Sequence, residues 1–433
     1  MSHLVQPTRI LIVGGGGREH ALAWKLAAEP GVNEVLVVPG SDAIGREPRV
    51  TVDPAVDPLD PATVVAAARQ FAAELVVVGP EAPLAAGVAD ALVETGFAVF
   101  GPSAAAARIE SSKAFCREVA EAAGVPMARG RAFAETDPSA ALAYAMGLDP
   151  HGAVVVKADG LAAGKGVTVC DTLDEAAEAI SAQRATVIVE ERLSGPEASV
   201  IALCDGRRAV ALPIARDHKR LLDGDAGPNT GGMGAYSPLV DLPDDAADRI
   251  LDAFHRPVLA ELARRGNPFR GALYAGLMLT DDGPRLLEFN ARFGDPETQA
   301  ILPRLGVPLG PLLLAAARGS LPEAASLATL PGAAVAIVLA TGGYPGRVDG
   351  GEAIEGIEDA GRGDFLAFHA ATRATIDGWE TAGGRVLCVV GRGPDVAAAR
   401  DRAEIAAGMI AWPGMQRRHD IGLAVTEPVG TRA

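Results

Sequence analysis

Along the first hundred positions, apolar residues fall in short unbroken runs instead of alternating with polar ones. Arg9–Val13, Val35–Val38, Leu75–Val78 and Ala98–Phe100 are such runs, each one strand long and reading as covered on both faces. Helical-period segments separate them, Glu19–Ala28 most clearly. Strands of this kind alternating with helices predict a parallel sheet between two helix layers. A helix over 113–123 stops at Gly124-Val125-Pro126, because proline and glycine cannot continue it. A small αβ unit then runs to about residue 193. It has strands at Val154–Lys157, Val167–Cys170 and Val187–Glu190, a helix at Leu173–Ser181, and a glycine-rich loop at Ala158–Gly166. A larger mixed region reaches about residue 325. It holds the strand Ser199–Cys204, a long glycine-rich loop from Leu222 to Gly234, a helix near Asp245–Arg265, and strands at Gly271–Leu279 and Arg285–Phe289. Ala333–Leu339, Arg385–Val390 and the helix Val396–Met409 form a last small α/β module. The class is α/β, mixing α/β and α+β parts. The expected units are 1–110, 111–330 with the small unit at about 125–193 set inside it, and 331–433.

Composition narrows the function classes. The 433 residues carry a formal charge of −16, which repels nucleic acid and anionic membrane and argues against both as partners. Four scattered cysteines without a C-x-x-C pair fit a reduced cytoplasm and neither a disulfide framework nor a structural zinc site. The polar start, Met1–Arg9, is not a signal peptide, and the apolar stretch Ala333–Thr341 is too short to span a bilayer.

Five segments carry candidate chemistry. Gly14–Gly17 follows a buried strand and opens a helix, an arrangement that lets free backbone N–H groups reach an anion. A dinucleotide fingerprint needs a third glycine where Glu19 stands and an acid where the second strand runs out into Pro39-Gly40, so phosphate binding fits better than NAD binding. Lys157 ends three valines and precedes a loop containing Gly164, Lys165 and Gly166. A lysine placed so is costly to bury without an anion, and the loop reads as a cationic flap over a polyphosphate. The strand ending in Glu190-Glu191, with Leu193 and Glu197 beyond it, offers acceptors for an adenine edge and ribose hydroxyls. Asp217-His218-Lys219-Arg220 before a loop rich in glycine invites an anion. In Glu288-Phe-Asn290-Ala-Arg292, strand periodicity puts a carboxylate, an amide and a guanidinium on one face, with Leu287 and Phe289 on the other. Glu288 and Asn290 supply hard oxygens suited to Mg²⁺, and Arg292 suits a phosphate or acyl phosphate.

Together the segments GGGGREHALAW (14–24), VGPEAP (78–83), VKADGLAAGKGV (156–167), DHKRLLDGDAGPNTGGMGAYSP (217–238), EFNARFGDPETQ (288–299) and GGYPG (342–346) resemble the ATP-grasp superfamily. Within it they are similar to the phosphoribosylamine–glycine ligase (glycinamide ribonucleotide synthetase) family. The resemblance implies a Rossmann-like first domain, an ATP-grasp domain with a small mobile lid, and a C-terminal domain. It implies ligation of glycine to 5-phosphoribosylamine through glycyl phosphate, with ATP and Mg²⁺ (or Mn²⁺), in a monomer or weak homodimer. It assigns Lys113 and Lys157 to ATP phosphates, Lys165 with Gly164 and Gly166 to the flap, Glu190 and Leu193 to adenine through backbone groups, and Glu197 to the ribose. Glu288 and Asn290 take the metal and Arg292 the acyl phosphate. Gly16, Gly17, Arg18 and Glu19, with the turn Gly294-Asp295-Pro296-Glu297, take the phosphoribosylamine. Lys219 belongs with the catalytic groups, and Asp217 or Asp295 accepts the amine proton. Two departures stand out: Ser41 where the family has asparagine, and no acid in Gly271–Leu279, which predicts a thinly ligated metal.

Overall fold

The computed structural model describes residues 4–161, 166–243, 245–324, 326–360 and 365–423. The four apolar runs become parallel strands, joined at one edge by Val50–Val52, and Arg9–Gly14 sits at the centre between Glu34–Pro39 and Leu75–Val78. Their side chains divide by strand period. Ile10, Ile12, Val35, Val37, Leu75 and Val77 enter one core, while Leu11, Val13, Val38, Val76 and Val78 enter a second on the opposite face. Burial on both faces explains the unbroken apolar runs, each such side chain contributing about 1.5–3 kcal/mol. From the central strand the chain winds first to one side and later to the other. Gly14–Gly17 therefore lies at the carboxyl end of the sheet where the winding reverses, the place such sheets hold ligands.

A second sheet is the four-stranded antiparallel set Gly130–Phe133, Val187–Glu191, Val154–Ala158 and Val167–Val169. Helices Pro138–Leu148 and Leu173–Ser181 cover it around a small core of its own. Its two connections are pinned to the neighbouring sheet. The Pro126 carbonyl accepts from Leu286 N at 2.8 Å, and the Pro196 carbonyl from Leu279 N at 2.9 Å. Gly195 has φ +146°, and a Cβ there would lie 2.1 Å from the Leu279 carbonyl oxygen, so only glycine allows this approach.

That neighbouring sheet is antiparallel, ordered Ala209–Ala211, Glu197–Asp205, Arg270–Thr280, Gly283–Asn290, with the last strand at the edge. A third sheet is built on Ala333–Ala340 and Arg385–Gly393 and takes in Phe365–His369, Gly234–Ser237 and Arg216–Asp217. The central and C-terminal segments thus share one sheet, and from its strand Arg216–Asp217 the chain turns to bring Lys219 toward Glu288 on the edge strand. The expected loop at Leu222–Gly234 is partly ordered: Arg220–Leu222 and Ala226–Asn229 pair as a hairpin. Arg418, 1% exposed, holds it through Asp225 and the Arg220 carbonyl. No helix among the described residues is long and apolar enough to cross a membrane.

His255 is buried in the π-helical turn Leu251–His255, its ring 3.1 Å from the Leu273 carbonyl. Burial pushes it down to about 4. Folded, it is neutral through mild acid; unfolded, it takes up a proton near pH 6.5. Its share of stability is complete above about pH 6.5 and is lost as pH falls from there through the folded value. His255→Gln removes about 1.4 kcal/mol per pH unit from the slope of stability between about pH 6.5 and pH 5. Urea unfolding at the two pH values measures it; equal slopes in both proteins contradict it.

Candidate functional site

The cationic side of the site starts at the end of the Val154–Ala158 strand. Lys157 is buried, and its ammonium donates to the Leu287 carbonyl at 2.9 Å and lies 2.6 Å from Glu190. The other oxygen of Glu190 meets Arg117 at 3.0 Å. Arg117 is shared in turn with the mostly exposed Glu121, at 2.8 Å. Lys113 opens the helix Lys113–Ala122 and donates to the Gly160 carbonyl at 2.9 Å. Asp159 caps the same turn through Ser112 Oγ and Ala114 N. Burial lowers the Lys113 ammonium, nearby Glu288 opposes this, and Lys157 adds to it. Two ammonium groups placed this close together suit an anionic ligand such as a phosphate.

Facing them is the end of the Gly283–Asn290 strand. A bulge sets Leu286 opposite Leu277 and Glu288 opposite Gly276, so Leu286 and Phe289 enter the core while Leu287 is squeezed out. The freed Leu287 carbonyl is the one Lys157 uses. Burial pushes Glu288 upward, but Lys219, Lys157, Arg292 and Lys113 together hold it below its ordinary value. It is ionised at neutral pH, its side chain is 38% exposed, and its ion pair is to Lys219 at 3.7 Å. Lys219 is bound more closely to Glu197, at 2.8 Å. Nothing among the described residues hydrogen-bonds the Asn290 carboxamide. Among the described residues no three carboxylate, thiol or imidazole groups converge as a metal cage. Glu288 and Asn290 therefore fit a divalent cation that brings its remaining ligands from phosphate oxygens and water.

Behind this face Ser199 Oγ lies 3.1 Å from Glu297, 3.0 Å from the Tyr274 hydroxyl and 3.4 Å from Asp217. Burial pushes the Asp217 carboxyl up to about 8; Lys219 opposes the rise, and Glu297, Glu197 and Glu288 add to it. At neutral pH Asp217 keeps its proton. It accepts one only on the alkaline side of that value.

Arg292 closes the far end, with Nη2 3.0 Å from Glu110 and Nε 3.4 Å from Glu81. Arg18 reaches the same turn, donating to the Phe293 carbonyl at 3.1 Å and to Glu19 at 2.6 Å. Glu19 folds back to accept from Gly16 N at 2.8 Å. A Cβ at Gly14 or Gly79 would meet its side chain at 2.6 or 2.2 Å, which is why both positions are glycine. Gly17 is covered by Gln299, whose Nε2 donates to Asp295 at 2.9 Å.

Sequence comparison gives the arrangement its family. Models of the phosphoribosylglycinamide synthetase N domain, ATP-grasp (A) domain and C domain match residues 8–110, 111–298 and 334–424. Over 419 residues the chain is 49% identical to the phosphoribosylamine–glycine ligase of Streptomyces coelicolor, spanning 95% of this chain and 98% of that one. It belongs to the phosphoribosylamine–glycine ligase family. The Leifsonia xyli member is 47% identical over 422 residues, with 95% of this chain and 99% of that one covered. The solved Thermotoga maritima ligase superposes with a TM-score of 0.78 at 33% identity, over 95% of this chain and all of that one. Biotin carboxylase of Campylobacter jejuni, 15% identical over 98% of this chain and 96% of that one, shares the fold with a TM-score of 0.71.

Against this ligase family's pattern, the structure changes several expectations. Arg292 is not on the strand, which ends at Asn290; it reaches the site from the following turn, so period two does not set its face. Leu287 does not share a face with Phe289, because of the bulge. The anion that makes Lys157 affordable in the interior is already in the chain, as Glu190. The Glu190 and Glu191 side chains, read as open acceptors, are engaged: Glu190 by Lys157 and Arg117, Glu191 by Arg129 at 2.6 Å and by Arg129 N. Glu197 likewise faces Lys219. Leu193 lies half-buried just past the Val187–Glu191 strand. Gly164 and Lys165 lie outside the described residues, while the Gly166 carbonyl accepts from Ala158 N. The sequence reading missed Glu81, Glu110, Arg117, Ser199, Tyr274 and Arg385. Only Glu81 had a signal, inside VGPEAP.

Proposed function

We propose that this chain joins glycine to 5-phosphoribosylamine through glycyl phosphate, giving glycinamide ribonucleotide, ADP and phosphate. The observation that carries the reading is the pairing of two neighbouring ammonium groups, Lys113 and Lys157, with an ionised, open Glu288 across one cleft. In this reading Lys113, Lys157 and the Gly164–Gly166 flap hold the ATP phosphates, with Glu190, Glu191, Leu193 and Glu197 around the nucleoside. Glu288 and Asn290 would hold Mg²⁺, which when bound would supply charge neutralisation for the phosphates. A glycine carboxylate oxygen attacks that phosphorus and ADP leaves. Arg292 and Lys219 stabilise the charge on the acyl phosphate. The amine of phosphoribosylamine, held by Gly16–Glu19 and Gly294–Glu297, attacks the acyl carbon. Phosphate leaves with its bridging oxygen, and the amine proton passes to a carboxylate: Asp295, held ionised, or Asp217 on the alkaline side where that acid has lost its own proton. No covalent enzyme intermediate is needed, since positioning and charge neutralisation carry the rate.

The reading takes 1–110, 111–330 (with a lid at about 125–193) and 331–433 as the working units. It places the enzyme in the cytoplasm, acting on small molecules alone as a monomer or weak homodimer; the charge of −16 and four free buried cysteines support this. Purified protein with ATP and Mg²⁺ should release ADP only when glycine and phosphoribosylamine are both present. ADP release that ignores glycine but follows another carboxylate overturns the substrate assignment.

A further inference from the structure

Arg385 begins a strand of the C-terminal module, Arg385–Gly393, yet its guanidinium lies inside the site. Nη1 donates to the Asp295 carbonyl at 2.8 Å and the Gly231 carbonyl at 2.5 Å, with Gly232 O at 3.4 Å. Nη2 lies 3.3 Å from the Asp295 carboxylate. The other carboxylate oxygen accepts from Gln299 Nε2. Gln299 is 1% exposed, and its Oε1 is buried without a hydrogen-bond partner. An orphan acceptor of that kind is a cost of about 1–3 kcal/mol that a structure keeps only for a reason. Here the amide is oriented by Asp295 on one side and packed on Gly17 on the other. Burial would raise the Asp295 carboxyl, but Arg385, Arg18, Gln299 and Arg292 keep it ionised. A carboxylate fixed by two side-chain donors keeps lone pairs for two more. A fixed acid beside a glycine loop at a helix N-terminus is what vicinal ribosyl hydroxyls and their phosphate require.

We infer that Arg385 is a positioning residue for the phosphoribosyl substrate: with Gln299 it aims Asp295 at the ribosyl hydroxyls and ties the Gly231–Gly232 loop to that acid. The C-terminal module thereby completes a site whose chemistry lies in the other parts of the chain. Tyr344 reinforces the tie, its hydroxyl accepting from Gly231 N at 2.9 Å. The inference rests on the ligase reading above and adds a residue that reading does not use.

The test uses the reverse reaction of the full chain, with stable glycinamide ribonucleotide, ADP and phosphate. Arg385→Ala should raise the KM for the ribonucleotide about 30-fold or more, leaving the KM for ADP within about threefold. Arg385→Lys, which keeps charge but loses the fork, should fall between. A general structural defect would instead raise both KM values and lower the Tm. Equal KM shifts for both substrates, or an unchanged ribonucleotide KM in a folded Arg385→Ala protein, overturn the inference. A wild-type protein with no ribonucleotide-dependent turnover fails the ligase reading itself, a distinct outcome. Should Arg385→Ala not fold, Gln299→Leu tests the same point and should raise the ribonucleotide KM alone.

Discussion

Glu288→Ala is expected to lower kcat at least about a thousandfold at saturating ATP and Mg²⁺, a loss of about 4 kcal/mol of transition-state stabilisation. The fold should hardly notice. Among the described residues Glu288 makes a single loose ion pair, and the Lys219 it leaves behind stays bound to Glu197 at 2.8 Å. Lys219, Lys157, Arg292 and Lys113 maintain its ionised form, and no described residue donates a hydrogen bond to it, so among the described residues the alanine leaves no buried donor orphaned. Steady-state kinetics together with thermal unfolding measure both halves. Wild-type turnover in the variant would remove Glu288 from the chemistry.

Arg292→Ala should cost both activity and stability. Glu110 side-chain exposure is 7%, and the group is fixed by Ala291 N at 2.7 Å as well as by Arg292. Removing the guanidinium strands that carboxylate in the interior with Glu81 beside it. Breaking a buried ion pair from one side costs about 3–5 kcal/mol. The lower end applies here, because burial already raises Glu110 toward its neutral form. Arg292→Lys separates the two roles: an ammonium keeps most of the charge balance but cannot span Glu110, Glu81 and a ligand oxygen together. The lysine variant should therefore regain most of the stability in urea unfolding while kcat stays down at least about a hundredfold. Recovery of turnover along with stability would make Arg292 a purely structural residue.

How much of this could be read from the chain follows from the range of each interaction. The parallel sheet was legible because strands buried on both faces must be continuously apolar, as Ile10–Val13 and Leu75–Val78 are. The edge strand with Glu288 and Asn290 was legible because its alternation is local. The bulge at Leu287 was not, since it depends on the partner strand's register. Lys157 was recognised as needing an anion, but Glu190 was assigned elsewhere because the sheet pairing that places them together joins segments more than thirty residues apart. Arg385, Ser199 and Tyr274 carry no spacing signal at all, lying in apolar strands that look like plain core. Val50–Val52 escaped because three residues are too few to establish a period.

The central claim is that ATP activates the carboxylate of glycine. Glycine labelled with ¹⁸O in its carboxylate tests it most directly, by mass analysis of the phosphate released during a single turnover with ATP, Mg²⁺ and phosphoribosylamine. The account predicts one ¹⁸O atom in each phosphate, carried over when the acyl phosphate is cleaved at its acyl carbon. Phosphate free of label, with glycinamide ribonucleotide still formed, would contradict it.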